Sequence, residues 1–162
     1  MNAVDLLIEQ HRMLEARMKE TKEAQEPQAI ARLLAQVGDH LTTHIASEEK
    51  LFYPAVNAKR TEDILLESLE EHLSLKRLLA DLLELQPSEK TFEPKFKVLA
   101  EQTVHHHKEE EEELFPKVRK LLDASQLEEL GQQMLALQQS MQLAGRPREG
   151  VSADTDKAAP LI

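Results

Sequence analysis

No cysteine occurs in this 162-residue sequence, which removes disulfides, iron–sulfur ligation and thiol nucleophiles together. Any metal chemistry must rest on histidine and carboxylate ligands. Tryptophan is also missing, tyrosine occurs once and glycine four times, so there is little from which to build strands. Basic charge is in deficit: 20 Lys and Arg face 30 Asp and Glu, for a formal net charge of -10. That balance works against nucleic acid and anionic membrane as partners, since both are polyanions. No apolar run approaches a membrane span. The opening MNAVDLLIEQHR carries an early Asp5 and no basic start, unlike a secretory signal. The expected location is the cytoplasm.

What remains is rich in Leu, Glu, Gln, Lys and Ala, which are helix formers, and its 41% apolar content is enough for a core. The fold class expected is all-α. Prolines and turn residues divide the chain into helices near 3–25, 28–57, 62–86 and 90–122. A fifth is predicted near 126–142, opened by Ser125 with Glu128 three residues on as a capping box. Long helices with short connections favour an antiparallel up-down-up-down four-helix bundle, here with an additional C-terminal helix. The apolar face of that helix, Leu127, Leu130, Met134, Leu137 and Met141, suits either a cap on the bundle or a homodimer contact. Residues 1–143 form the bundle and fifth helix in this reading. AGRPREGVSADTDKAAPLI, 144–162, lacks periodicity and is expected to be a disordered tail.

The chain repeats itself. HIASEEKLFYP at 44–54 is echoed by HHKEEEEELFP at 106–116, each closing on an aromatic–proline pair that reads as a helix stop. EQHRMLEARM at 9–18 is echoed by EEHLSLKRLL at 70–79. Each half is thus a helix pair, and two pairs would pack about a pseudo-two-fold axis.

Polar residues interrupt the apolar stripes of these helices. The first runs Leu7, His11, Leu14, Met18, and the second Leu33, Val37, Leu41, His44, Glu48, Leu51, Ala55. The third runs Leu65, Leu69, His72, Leu75, Leu79, Leu83, and the fourth Phe96, Leu99, Thr103, His106, Glu110, Leu114, Val118, Leu121. Six polar groups therefore point at one interior. Burying an unpartnered carboxylate costs several kcal/mol, and a pair of metal ions supplies the compensation. Residues four apart lie one turn apart on a helix face, about 5–6 Å, so His44 with Glu48 and His106 with Glu110 can each turn a nitrogen and an oxygen to one point. His40, one turn before His44, is an outer partner or an occasional ligand. His105 falls outside the stripe. A register shifted by one residue would instead present His107 with Glu111. Tyr53, the lone tyrosine, is expected to pack near a helix end.

At these residues the sequence resembles the hemerythrin-like, or HHE cation-binding, family, over about residues 5–120. The resemblance implies a four-helix bundle around a non-haem di-iron centre, two Fe ions bridged by an oxo or hydroxo group and two carboxylates. Carried over by position, the metal ligands are His11, His44, His72 and His106, with Glu48 and Glu110 as bridges. Duplication symmetry pairs His11 with His44 on one ion and His72 with His106 on the other. The oxygen carriers of the family place a fifth histidine where this chain has Lys76, and His40 or His107 is left to restore it. With four histidines, each iron keeps an open position for O2, peroxide or nitric oxide. Zinc and manganese rank below iron. The functional expectation is a protein that binds or senses O2 or a related small oxidant. The alternatives are a di-iron enzyme disposing of peroxide or nitric oxide, and an iron storage or transfer protein.

Overall fold

The computed structural model describes residues 1–162 and contains helices and no strands. Helix α1 spans Ala3–Glu23, its start held by the Asn2 side chain accepting from the Asp5 N–H at 2.9 Å. Helix α2 spans Pro27–Ser47, with proline at its first turn, where no N–H is needed. It runs on through a π-helical turn, Glu48–Phe52, into the short α3, Tyr53–Val56. Helix α4 spans Glu62–Leu83 and α5 Phe92–Glu109. A second π-helical turn, Glu110–Leu114, leads into α6, Phe115–Leu121. Helix α7 is Ala124–Ala144 and a 3-10 segment covers Pro147–Asp154. The expected all-α bundle is what forms: α1 neighbours α2 and α5, α4 neighbours α5 and α2, and the ring closes.

Neither aromatic–proline pair stops its helix. In a regular α-helix Pro54 and Pro116 would clash with the carbonyls of Lys50 and Glu112 and leave them unpaired. The wider turn absorbs both problems, because Tyr53 N–H reaches back to the Glu48 carbonyl and Phe115 N–H to that of Glu110. The added residue rotates the helix beyond it. Ala55, expected inward, is exposed and Leu51 only borders the core, while Phe52, Tyr53 and Val56 take the buried face.

The apolar core is split in two. At one end Leu7, Phe52, Leu65, Leu69, Leu114 and Phe115 pack with Leu127 and Met134 of α7. At the other, Leu14, Leu41, Leu75, Leu79, Phe96 and Leu99 form a second cluster. Each bundle helix passes through both clusters, in opposite directions for successive helices, and carries its stripe histidine between them. Roughly 1.5–3 kcal/mol per buried Leu or Phe holds these layers on either side of a polar one.

Two sequence expectations are corrected. The cap of α7 is Asp123, whose side chain accepts from Gln126 N–H at 2.8 Å while Gln126 accepts from Asp123 N–H at 2.9 Å. Ser125 therefore lies inside the first turn, because aspartate two residues earlier already satisfies the orphan donors. The segment after Ala144 is not a disordered tail. Gly145, at φ 156°, a conformation closed to other residues, breaks α7. The chain then straps across α2 and α4, burying Val151 in the second cluster. Arg148 lies over Gly38, where a Cβ would stand 3.1 Å from its own, and binds Asp39 at 2.8 Å. One apolar anchor and a few ion pairs order a segment whose composition alone shows no periodicity.

Candidate metal centre

Between the two clusters His11, His44, His72, His106, Glu48 and Glu110 are all essentially buried, at 0–2% exposure. The six side chains chosen by their stripe positions thus converge on one point. His72 and His106 meet with their Nε2 atoms 3.1 Å apart, while the His11 and His44 rings lie 5.1 Å apart on the other side. The carboxylates sit between these two lobes. Glu48 Oε1 is 3.4 Å from His44 Nε2 and 3.2 Å from His72 Nε2. Glu110 Oε1 is 3.2 Å from His11 Nε2 and 3.5 Å from His106 Nε2. Each glutamate therefore reaches one imidazole of either lobe.

A fifth imidazole joins them. His107 is 1% exposed and stacks on His11, and its ligand nitrogen groups with those of His11 and His44 within 4.8 Å. One lobe thus has three histidines and the other two. The shifted register is not adopted: His106 and Glu110 stay inside, and Glu111 turns out to meet His11 Nδ1 at 2.7 Å. His40 is only half-buried and is not among the converging groups. His105 is exposed and pairs with Glu109 at 2.9 Å. Lys76 is buried but bonds Glu49, not the centre. Tyr53 does pack in the core, and its hydroxyl also donates to Glu110 Oε2 at 2.7 Å and lies 3.2 Å from His72 Nε2.

An outer ring orients the imidazoles. His11 Nδ1 faces Glu111, His72 faces Glu49 at 2.9 Å, His106 faces Glu71 at 2.7 Å and His107 faces Glu15 at 2.7 Å. His44 alone faces an amide, Gln10 Oε1 at 2.9 Å, which is in turn held by Gln138 of α7 at 3.0 Å. With Nδ1–H donated outward, every Nε2 lone pair is left for the centre. Arg12 contacts both Glu15 and Glu111 and so ties two of these partners together.

Electrostatically the pocket shifts its titrating groups in opposite directions. Burial, reinforced by the neighbouring histidines, holds His44 and His107 well below the ordinary value, and burial lowers His72 despite Glu49. His106 moves up: burial opposes its charge, but Glu110 and Glu71 outweigh it. Burial and then Glu110 push Glu48 well above the ordinary carboxylate value. Glu110 shares that burial, but His106 and His11 hold it well below. Two carboxylates in one dry layer cannot both stay ionised without a cation.

The donor set fits a metal pair on a simple count. His11 Nε2, His44 Nε2, both Glu48 oxygens and Glu110 Oε1 are buried without any hydrogen-bond partner. Orphaned polar atoms on this scale are rare in folded proteins and point to an ion. Nitrogen and oxygen donors with shared carboxylates suit first-row divalent metals.

Fold and centre together define a four-helix bundle with a histidine–carboxylate core. The family model for the hemerythrin HHE cation binding domain matches residues 2–118, and the chain belongs to that family. Over 142 residues it is 28% identical to a DNA nickase from Nostoc sp., a match covering 88% of this chain and 40% of that protein. The chain thus spans well under half the length of that relative. Among solved structures it is similar to a hemerythrin HHE cation binding domain-containing protein from Mycobacterium kansasii. The two share 24% identity and a fold at TM-score 0.78, over 94% of this chain and 98% of the other. No helix is long and apolar enough to cross a membrane.

Proposed function

We propose that this chain is a di-iron protein that binds or senses O2 or a related small oxidant. In this reading His11, His44 and His107 hold one iron, His72 and His106 hold the other, and Glu48 and Glu110 bridge them. The observation that carries it is the placement of each glutamate between one histidine of either lobe, with both Glu48 oxygens and Glu110 Oε1 otherwise unpartnered. When bound, the metal pair would supply redox electrons and a site for a small oxidant. The two-histidine lobe would hold its ion with fewer nitrogens and so be the one to take a small oxidant, and the near-symmetry suggested by the repeat is broken by His107. The protein's own part is to hold five Nε2 lone pairs inward, to exclude bulk water with two apolar clusters, and to keep a proton on the Tyr53 hydroxyl beside the lobe with fewer ligands.

That hydroxyl favours a second reading, a di-iron enzyme that disposes of peroxide or nitric oxide. Burial, with Glu110 and Glu48 beside it, pushes the Tyr53 hydroxyl well above its ordinary value, so it stays protonated and able to donate. The likeness to a nickase does not extend the reading to DNA, because a net charge of -10 opposes a polyanion.

The test is anaerobic loading with Fe(II), metal analysis, and optical spectra on exposure to air, peroxide or nitric oxide. Two irons per chain and a charge-transfer band on oxidation are expected. Failure to bind two irons, or a spectrum indifferent to all three oxidants, overturns the proposal. Steady-state O2 release from peroxide separates the enzyme from the sensor.

A further inference from the structure

The C-terminal strap reaches the centre through a buried lysine. Lys76 lies on α4 with its side chain only 5% exposed, and a buried ammonium persists only when it is well paired. Its Nζ bonds Glu49 Oε1 at 2.9 Å and Asp154 Oδ2, at the end of the strap, at 2.6 Å. The other Glu49 oxygen faces His72 Nδ1 at 2.9 Å. A continuous file of contacts thus runs from Asp154 through Lys76 and Glu49 to His72. The strap is fastened on both sides of this file, by Arg148 to Asp39 and by Arg77 to the Thr155 and Asp156 carbonyls at 2.9 and 3.0 Å. It roofs a cavity of about 200 Å³ whose lining includes Glu49 and Lys76.

We propose that Asp154 and Lys76 are positioning residues for the two-histidine lobe, which makes the strap a working part of the centre. The inference rests on the metal-pair reading above. With two carboxylates on it, Lys76 shares its charge between them, and Glu49 keeps enough negative character to hold His72 Nδ1–H and sharpen Nε2 as a donor. Without Asp154 the ammonium is left to Glu49 alone and draws that carboxylate away from His72. The outer partners of the three-histidine lobe, Gln10, Glu15 and Glu111, all lie off this file. The effect is therefore confined to one of the two ions.

The experiment is a stepwise anaerobic titration of the full chain with Fe(II), with the unfolding temperature of the metal-free protein measured in parallel. Asp154→Asn is the main variant, because Asp154 is more than half exposed and the bundle does not depend on it for its core. Outer-partner changes cost 10–100-fold in metal affinity. The expected result lies at the low end of that range: about 10-fold weaker binding of the second ion, unchanged binding of the first, and recovery in Asp154→Glu. Adding Lys76→Met to Asp154→Asn should recover that binding, because no ammonium is left to draw Glu49 from His72. A purely structural strap would lower the unfolding temperature and leave the ratio of the two affinities at the parental value. That result, or equal weakening of both ions, overturns the proposal. A parent protein that binds fewer than two ions overturns the reading of the centre itself, and this inference with it.

Discussion

His11 and His107 stack face to face, their ring centroids 3.7 Å apart and their planes 9° from parallel, though one ring comes from α1 and the other from α5. The contact joins the two halves of the duplicated sequence inside the centre. It also explains how His107 is held: Glu15 fixes its Nδ1 and the stack fixes its plane. His107→Ala should therefore weaken binding of the ion in the three-histidine lobe by at least the roughly 10–100-fold seen when a mere orienting partner is lost. Competition against a chelator measures it, with His40→Ala as a control expected to bind like the parent.

Tyr53→Phe removes the donor to Glu110 Oε2 and changes little in shape. A buried hydrogen bond to a charged acceptor contributes about 1.5–3 kcal/mol, and the metal-free variant should be less stable by that amount in denaturant titration. An unchanged midpoint would show that this hydrogen bond adds nothing to the stability of the metal-free protein.

Glu48 is the carboxylate that burial pushes up, with Glu110 adding to the shift. Its folded state binds a proton that the unfolded chain releases near pH 4.5. The associated stability is present below that pH and is lost as pH rises through the raised value. Glu48→Gln removes the loss. The metal-free variant should gain stability over the parent, by a margin that grows as pH rises above the ordinary carboxylate value, while losing metal binding. A margin independent of pH would refute the assignment. Metal binding takes the carboxylate form, so loading should release protons into a weakly buffered solution.

Glu71 orients His106 at 2.7 Å from a half-exposed position. Glu71→Gln keeps the geometry and removes the charge. The expected outcome is about 10-fold weaker binding of the ion held by His72 and His106, from the same outer-partner range, with thermal unfolding of the metal-free protein little changed.

Much of the centre was legible because it obeys local rules. A histidine that takes one place in an apolar stripe of three- and four-residue steps is inward whatever the helix packs against, and His44 with Glu48 or His106 with Glu110 share a face by helix geometry alone. His107 was harder to read. Adjacent helical positions point about 100° apart, so His106 and His107 look like one inward and one outward residue. They are both inward because α5 borders α4 on one side and α1 on the other: His106 meets His72, and His107 meets His11. Tyr53 reached the centre through the π-helical turn, whose extra residue no apolar period announces. The capping of α7 by Asp123 and the folding back of the strap on Val151 and Lys76 depended equally on neighbours far along the chain.

By itself the sequence determined that the protein is helical, that its halves repeat, and that four histidines and two glutamates face an apolar interior, because helix periodicity and proton chemistry act over a turn or two. Tertiary structure alone decided that one lobe has three histidines and the other two, and that Asp154 near the end of the chain reaches back to Lys76. Those outcomes hang on which helix stands beside which, and contacts between side chains far apart along the chain leave no local trace.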